Sequence, residues 1–289
     1  MVPPDAKKQK TSESPKSPII FESPGLKADL YFKVFDQEFH FSNTDFTLFK
    51  GNRDHEEKIF KKFLCALFRR DYQFTNAAEL ATLAELARYY VAIEAVSDSL
   101  YGVFMKSVNL TSFIMSDPCS VLVAAHILKN EILFQESLIL ALGPSSKPQY
   151  LQLKDATLFN VAASAYGVIA LKIVQAQAML LSAITDTSAY TSTIDHNIKA
   201  IGDVSKRSRF RVKGGAVVML PAYYRQCCSA GLIGDAGENV KMCLAPILKN
   251  ELKGCPGAIA GEGDFSDYFL CLSRADITMP WESANDNSK

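Results

Sequence analysis

The chain has 289 residues, of which 48% are hydrophobic and 21% charged, the composition of an ordinary globular protein. Its 31 basic and 31 acidic residues give a net charge of zero, which excludes a global field that attracts nucleic acid or an anionic membrane. No uninterrupted apolar run reaches the roughly 18 residues of a membrane span, and residues 1–27 lack the apolar core of a secretory signal. We therefore expect an intracellular protein, in nucleus or cytoplasm, without a membrane or nucleic-acid partner.

Residues 1–27 are rich in Pro, Ser and Lys and poor in apolar side chains, so they cannot bury enough surface to offset the entropy of ordering. We predict a disordered tail. After it, Leu30, Phe32 and Val34 alternate with polar residues, a turn follows at Asp36-Gln37, and a second run covers residues 38–41. This pattern predicts a hairpin, and with it a small β-sheet packed against helices over residues 56–104.

Between residues 60 and 104 the apolar positions recur at helical spacing. Asn76 followed by Glu79 is a capping pair that predicts the start of the middle helix. The predicted buried stripes are Phe60, Phe63, Leu64, Leu67 and Phe68; Leu80, Leu83, Ala84, Ala87, Tyr90 and Val91; and Ile93, Val96, Leu100, Val103 and Phe104.

Two further helical stretches follow. Asp117-Pro118 predicts a helix start, and apolar positions continue to Leu142, where Gly143-Pro144 ends the helix. Residues 155–185 predict one long helix. Beyond residue 186 the pattern becomes less regular, although residues 240–252 are again helix-like.

The helices over residues 60–104 resemble the C-terminal half of a BTB/POZ domain. The resemblance is carried by L-F-R-R-D-Y within residues 66–72 and by L-A-E-L-A-R-Y-Y over residues 83–90. Asp29, Val34 and Phe39 match the opening of that fold. Residues 124–144 and the string Met279-Pro280-Trp281-Glu282 resemble the helical extension and C terminus of fungal BTB/POZ proteins of unassigned role.

The resemblance implies a mainly α fold with a small β-sheet, of the α+β class. Its predicted parts are a disordered tail (1–27), an incomplete BTB/POZ-like domain (28–104) and a helical C-terminal region with irregular segments (105–289). Residues 42–59 are too few for the helical pair and third strand of a complete BTB domain. Because those elements supply much of that family's dimer surface, we expect self-association weaker than that of a complete domain.

The sequence contains no G-x-S-x-G, H-E-x-x-H or paired C-x-x-C motif, and we predict no catalytic, cofactor-binding or metal-binding residues. Its seven scattered cysteines favour reduced thiols. The alternative is an irregular metal site formed by Cys227, Cys228, Cys243 and Cys255. The basic cluster at residues 206–213 is a nuclear-import signal, a phosphate-binding patch or a solvated face.

Two functions remain open at this point. The resemblance implies a non-catalytic protein-interaction module, such as an adaptor that links a partner to a cullin-type ubiquitin ligase or a transcriptional complex. The alternative is an intracellular enzyme of a class without short motifs. An exposed apolar patch on the helices after residue 60 favours the first, and polar side chains with shifted pKa values in a cleft favour the second. The residues of the interaction surface cannot be named from the sequence.

Overall fold

The structure is a computed structural model that describes residues 19–21, 30–34, 37–41, 53–105, 110–185, 190–212 and 215–282. Within these ranges, only the backbone is described for residues 19–54, 105 and 209–217. The predicted disordered tail lies outside the described residues, apart from residues 19–21. The contacts divide the chain into two compact units, residues 1–72 and 73–289. The predicted division at residues 28, 104 and 105 stays a prediction.

Among its described residues, the first unit holds three short strands and one helix. These are β1 (Ile19–Phe21), β2 (Leu30–Val34), β3 (Gln37–Phe41) and α1 (Arg53–Leu67). β3 lies between the other two strands, parallel to β1 and antiparallel to β2, with Leu30 opposite Phe41. The predicted apolar stripe of α1 is buried at Phe60, Phe63 and Leu64.

The second unit is built from nine helices and two four-residue strands among its described residues. They are α2 (Ala77–Tyr89), α3 (Ile93–Met105), α4 (Leu110–Ser116), α5 (Pro118–Ile127), α6 (Glu131–Ala141), α7 (Ala156–Ile184), α8 (Thr191–Arg207), β4 (Arg209–Val212), β5 (Gly215–Val218), α9 (Leu220–Cys227) and α10 (Ala236–Leu248). Short 3₁₀ turns lie at Gln149–Gln152, Gly263–Phe265 and Arg274–Asp276.

The predicted α+β class is wrong. The residues whose backbone and side chains are both described are 68% helical and form no β-sheet, so the fold is all-α. Among the residues whose side chains are described, the buried apolar ones come from helices and from the loops between them. The alternation at residues 30–41 is a local signal for extended backbone. Strands of three to five residues bury too little surface to build a layer of the core by themselves.

Helix α6 lies at the centre of the second unit. Every residue from Leu133 to Ala141 is buried, so the helix is covered on all sides. It packs against α5, which in turn packs against α2, while α7 packs against α10. A late segment of the chain closes the same core. The Trp281 ring packs edge to face on Phe134, with 5.2 Å between the ring centroids, and stacks on His126, with 6.2 Å between the ring centroids.

Four helix starts follow the local sequence signals. Asn76, Asp117, Asn130 and Asp155 each accept a hydrogen bond at the side-chain oxygen from the backbone N–H three residues on, at 2.9–3.1 Å. At the first of these caps, the Glu79 carboxylate accepts from the N–H of Thr75 at 2.8 Å, not from that of Asn76. These caps confirm the predicted starts of α2, α5 and α7.

Three helix ends share a Schellman motif that has no glycine. Arg69, Val91 and Lys129 have positive φ angles of 51°, 56° and 50°. The N–H of each of these residues donates to the carbonyl three residues earlier in the chain, and the N–H of the following residue donates to the carbonyl five residues before it. These bonds satisfy the last helical carbonyls. Two predictions are wrong for this reason. Val91 is 90% exposed and not in the buried stripe, and Lys129 separates α5 from α6 within the predicted helix over residues 117–142.

Helix α7 is the longest element, at 29 residues. It contains an 18-residue window of mean hydropathy 1.7, of which 22% is buried, and by length and composition it could cross a membrane. The bent pair of α4 and α5, at 104°, passes the same test together. A core helix of a soluble protein passes this test as well, so the intracellular location stays a prediction.

Candidate interaction groove

Two adjoining cavities lie beside the C-terminal end of α7. The first, of about 700 Å³, is lined by Met179, Ser182, Ala183, Thr185, Asn239, Met242 and Cys243. The second, of about 290 Å³, is lined by Ala183, Ile184, Tyr190, Thr193, Asn197, Ile233, Gly234, Asp235, Ala236 and Asn239. Because Ala183 and Asn239 line both cavities, we treat the two as one groove between α7, α8 and α10, called here the α7 groove.

One wall of the α7 groove is the loop before α10, and Asn197 of α8 holds this loop in place. Asn197 is almost fully buried; its amide group donates to the carbonyl of Ile233 at 3.3 Å and accepts from the N–H of Ile233 at 3.0 Å. Gly231 and Gly234 have φ angles of 69° and 68°, a left-handed conformation that glycine adopts without strain. This wall is therefore fixed by a paired hydrogen bond and two backbone turns.

The α7 groove is nearly uncharged, and polar and apolar atoms contribute about equally to its lining. Met179 and Met242 are 54% and 65% exposed at its rim, and Tyr190 and Ile233 are exposed beside them. Asp235 is the single charged residue among those that line it. Methionine side chains adapt to partners of different shape, so this lining suits apolar side chains of another molecule more than acid–base chemistry.

The cysteines do not form a reactive or metal-binding centre. All seven are free, and no group of three His, Cys, Asp or Glu side chains that could hold a metal occurs among the residues that the structure describes. Burial raises the pKa of the Cys227 thiol to about 12 and those of Cys119 and Cys271 to about 11. Thiols with such high pKa values are protonated at neutral pH and are poor nucleophiles.

The nearest arrangement to a catalytic pair is Ser145 with Asp267. The Ser145 hydroxyl donates to one oxygen of the buried Asp267 carboxylate at 2.5 Å, and the hydroxyl and N–H of Ser146 donate to the other. The Ser145 N–H also donates to the Asp267 carbonyl at 2.7 Å. The apolar cavity beside it, with a volume of about 50 Å³, has no room for a substrate. This cluster fastens the loop after α6 to the C-terminal segment.

The basic cluster is only partly described. Lys206 and Arg207 are exposed at the end of α8, and the Lys206 ammonium pairs with Asp203 at 3.0 Å. The side chains of residues 209–213 lie outside the described residues, so nuclear import stays a prediction.

The exposed apolar residues are not concentrated on the helices that the BTB/POZ resemblance singled out. Helices α2 and α3 expose Tyr89 and Tyr101, whereas α7 exposes Leu171, Val174, Met179 and Leu181, and Met242 of α10 lies beside them. Sequence reasoning predicted the helix over residues 155–185 but named no exposed face for it. The sequence does contain the signal: Leu171, Val174 and Leu181 form a second apolar stripe on α7, offset from the buried stripe through Ile169 and Leu180.

No family model, no curated protein and no solved structure matches the chain.

Proposed function

We propose that the chain is a non-catalytic protein-binding module whose α7 groove takes the apolar side chains of an amphipathic helix from a partner protein. The observation that carries the proposal is the uncharged groove rimmed by exposed Met179 and Met242. A helix laid into an apolar groove is a common mode of peptide recognition, and methionine-rich rims are typical of such grooves.

The charge of the groove narrows the expected partner. Asp235 is exposed at the end of the groove near α8, and its carboxylate suits a Lys or Arg at one end of the bound helix. The partner segment is therefore apolar along one face with a basic residue at one end. An adaptor role toward a cullin-type ligase or a transcriptional complex is compatible with such a surface, and the identity of the partner decides between them.

The test places a photo-crosslinking amino acid at Met242, with Tyr101 of α3 as a matched control that is equally exposed but outside the groove. We expect a crosslinked protein from the native cell at position 242, identified by mass spectrometry, and no enrichment of that protein at position 101. The same protein should be lost when Met179→Glu is added. Equal labelling at both positions, or labelling that survives Met179→Glu, contradicts the proposal.

A further inference from the structure

The outward face of α7 carries a regular seam that nothing else in the described part of the second unit covers. Its positions alternate by three and four residues, which is the spacing of a coiled-coil contact line. They are Ser164, Gly167, Leu171, Val174, Ala178, Leu181 and Thr185. Leu171, Val174 and Leu181 are 66%, 60% and 60% exposed. The buried face of the same helix, with Ala162, Ala165, Ile169, Ala176 and Leu180, lies on the opposite side.

The seam and its borders carry no charge. The residues on either side of it are Val168, Gln175 and Ser182, and Ala163, Ala170 and Gln177. Lys172 is the only charged residue in the 29-residue helix, and its ammonium is occupied by the Asp276 carboxylate at 2.7 Å and the Cys271 carbonyl at 3.2 Å. In coiled coils, charges beside the seam select a different partner chain. A seam without them is compatible with its own copy, because no like charges meet across a two-fold axis.

Gly167 gives an independent indication of a close neighbour. A glycine inside a helix costs about 1 kcal/mol relative to alanine. A Cβ placed on Gly167 would meet nothing within 4 Å, so no packing within the described residues requires the glycine. A second helix that crosses here at short distance would account for the glycine, since the absent side chain lets two backbones approach.

We propose that α7 pairs through this seam with α7 of a second copy of the chain, in antiparallel orientation. The small residues lie in the first half of the seam, at Ser164 and Gly167, and the large ones in the second half. An antiparallel pair sets Leu181 against Ser164 and Leu171 against Val174, which balances volume at these two levels, and it brings Ala178 against Gly167, where the two backbones come closest. A parallel pair sets small against small at one end and leaves a gap there.

The area of the contact indicates a weak dimer. From Ser164 to Thr185 the seam is about 32 Å long, and a helix with its side chains is about 10 Å wide. A strip of this size is smaller than the roughly 800 Å² per partner of a standard interface. We therefore expect association in the micromolar range. The seam meets the groove at Thr185, but Met179 and Met242, which carry the protein-binding proposal, lie outside the seam.

A lipid bilayer is the competing occupant, since α7 passes the length and composition test for a membrane span. A spanning α7 would have to leave α10, against which it packs, and break the ion pair between Lys172 and Asp276. The paired copy covers the outward face and keeps these contacts.

The decisive experiment is sedimentation equilibrium of the full chain at protein concentrations from about 1 to about 200 µM, a range that spans a dissociation constant of about 10 µM. We expect a monomer–dimer equilibrium in the parent and a rise in Kd of roughly 100-fold or more in Val174→Glu, because the new carboxylate would be buried against Leu171 of the other copy without a partner. Met242→Glu, on the groove, should leave the equilibrium unchanged. Circular dichroism checks that both variants remain folded.

Two further arms test the pairing itself. Mixing Ser164→Glu with Leu181→Lys should restore a dimer that neither variant forms alone, and it does so only in the antiparallel arrangement. A parent that is monomeric at all concentrations overturns the proposal, as does a dimer that Val174→Glu leaves intact. Flotation of the parent, but not of Val174→Glu, with neutral phosphatidylcholine vesicles assigns the seam to a membrane and also overturns it.

Discussion

The buried carboxylate of Glu136 fastens a loop to the central helix, and its removal should destabilise the second unit. Glu136 lies on α6 and is 1% exposed. One carboxylate oxygen accepts from the N–H of Lys253 at 2.6 Å and the other from the N–H of Gly254 at 3.2 Å. The change Glu136→Ala removes both acceptors and leaves a small cavity in the core.

The magnitude follows from these two hydrogen bonds. A hydrogen bond to a charged group contributes about 1.5 to 3 kcal/mol, so two of them give an upper range of about 3 to 6 kcal/mol. Glu136→Ala also removes the cost of burying the carboxylate. Lys253 and Gly254 are exposed, so water can accept the hydrogen bonds that their N–H groups lose. We therefore expect a loss of about 2 to 4 kcal/mol in the free energy of unfolding.

Urea unfolding followed by far-ultraviolet circular dichroism measures this loss. Glu136→Gln keeps the shape and one acceptor and should lose less stability than Glu136→Ala. Glu85→Gln, on the outer side of α2, is the surface control and should stay within about 0.5 kcal/mol of the parent. A Glu136→Ala variant within 1 kcal/mol of the parent, where about 1 kcal/mol is an average substitution, would refute the reasoning.

The same group predicts a dependence on pH. Burial raises the pKa of Glu136 above its usual 4.5, and the two amide hydrogen bonds and the charge of Lys253 only partly oppose this. A raised pKa means that the folded state binds the proton more tightly than the unfolded state. The stabilising contribution is therefore complete below pH 4.5 and is lost as the pH rises through the folded value. The stability of the parent relative to Glu136→Gln should fall over that window, and a constant difference would contradict the assignment.

Three other substitutions test the fold. Leu83→Asp places a charge at a fully buried position of α2 and should lower the free energy of unfolding by at least about 3 kcal/mol. Tyr101→Asp, at a 62% exposed position of α3, should lower it by less than about 0.5 kcal/mol. Equal urea midpoints for the two variants would show that the α2 stripe is not core. Val91→Gly should raise the free energy of unfolding by about 1 kcal/mol, because it relieves a β-branched residue at a φ of 56°, and a lower melting temperature would argue against that end geometry. Gly261→Ala should be strongly destabilising because its Cβ would lie 2.4 Å from the Pro221 carbonyl oxygen at a φ of 86°, while Gly257→Ala, with nothing within 4 Å, should be neutral by the same thermal melt.

The starts of the helices could be read from the sequence because each depends on a local contact. Asn76, Asp117 and Asp155 accept from an N–H three residues away, so a four-residue window contains the whole signal. The end of α5 could not be read in this way. Its left-handed residue is Lys129, and without a glycine there the apolar pattern continues across the break into α6.

The predicted α+β class was wrong for a different reason. Alternating apolar residues at 30–34 indicate extended backbone, but whether a strand joins a core depends on what covers it, and that information is not local. Helix α8 (Thr191–Arg207) was missed because its polar outer face obscures the few buried positions, Asn197, Ile201 and Val204.

The α7 groove is assembled from three parts of the chain that are far apart in sequence. Met179 and Met242 are 63 residues apart, and each alone has the character of an ordinary packing residue. In α7 the apolar residues form two stripes, one through Ile169 and Leu180 and one through Leu171 and Leu181. Periodicity shows that both exist, but only the packing of α10 shows which of them is buried.

The late segment that closes the core has a consequence for synthesis of the protein. Gln135 of α6 donates to the carbonyl of Leu272, which is 137 residues further along the chain. Glu131 accepts a hydrogen bond from Arg274, which is 143 residues further along. At about 5 to 20 residues per second, the ribosome needs roughly 7 to 27 s to deliver the first of these partners. During that time α6, which is buried on all sides in the finished fold, lacks part of its cover. The nascent chain therefore presents an apolar helix for many seconds, and chaperone binding should be strongest after residue 141 emerges from the ribosome and should decline once the segment up to residue 282 is free to pack.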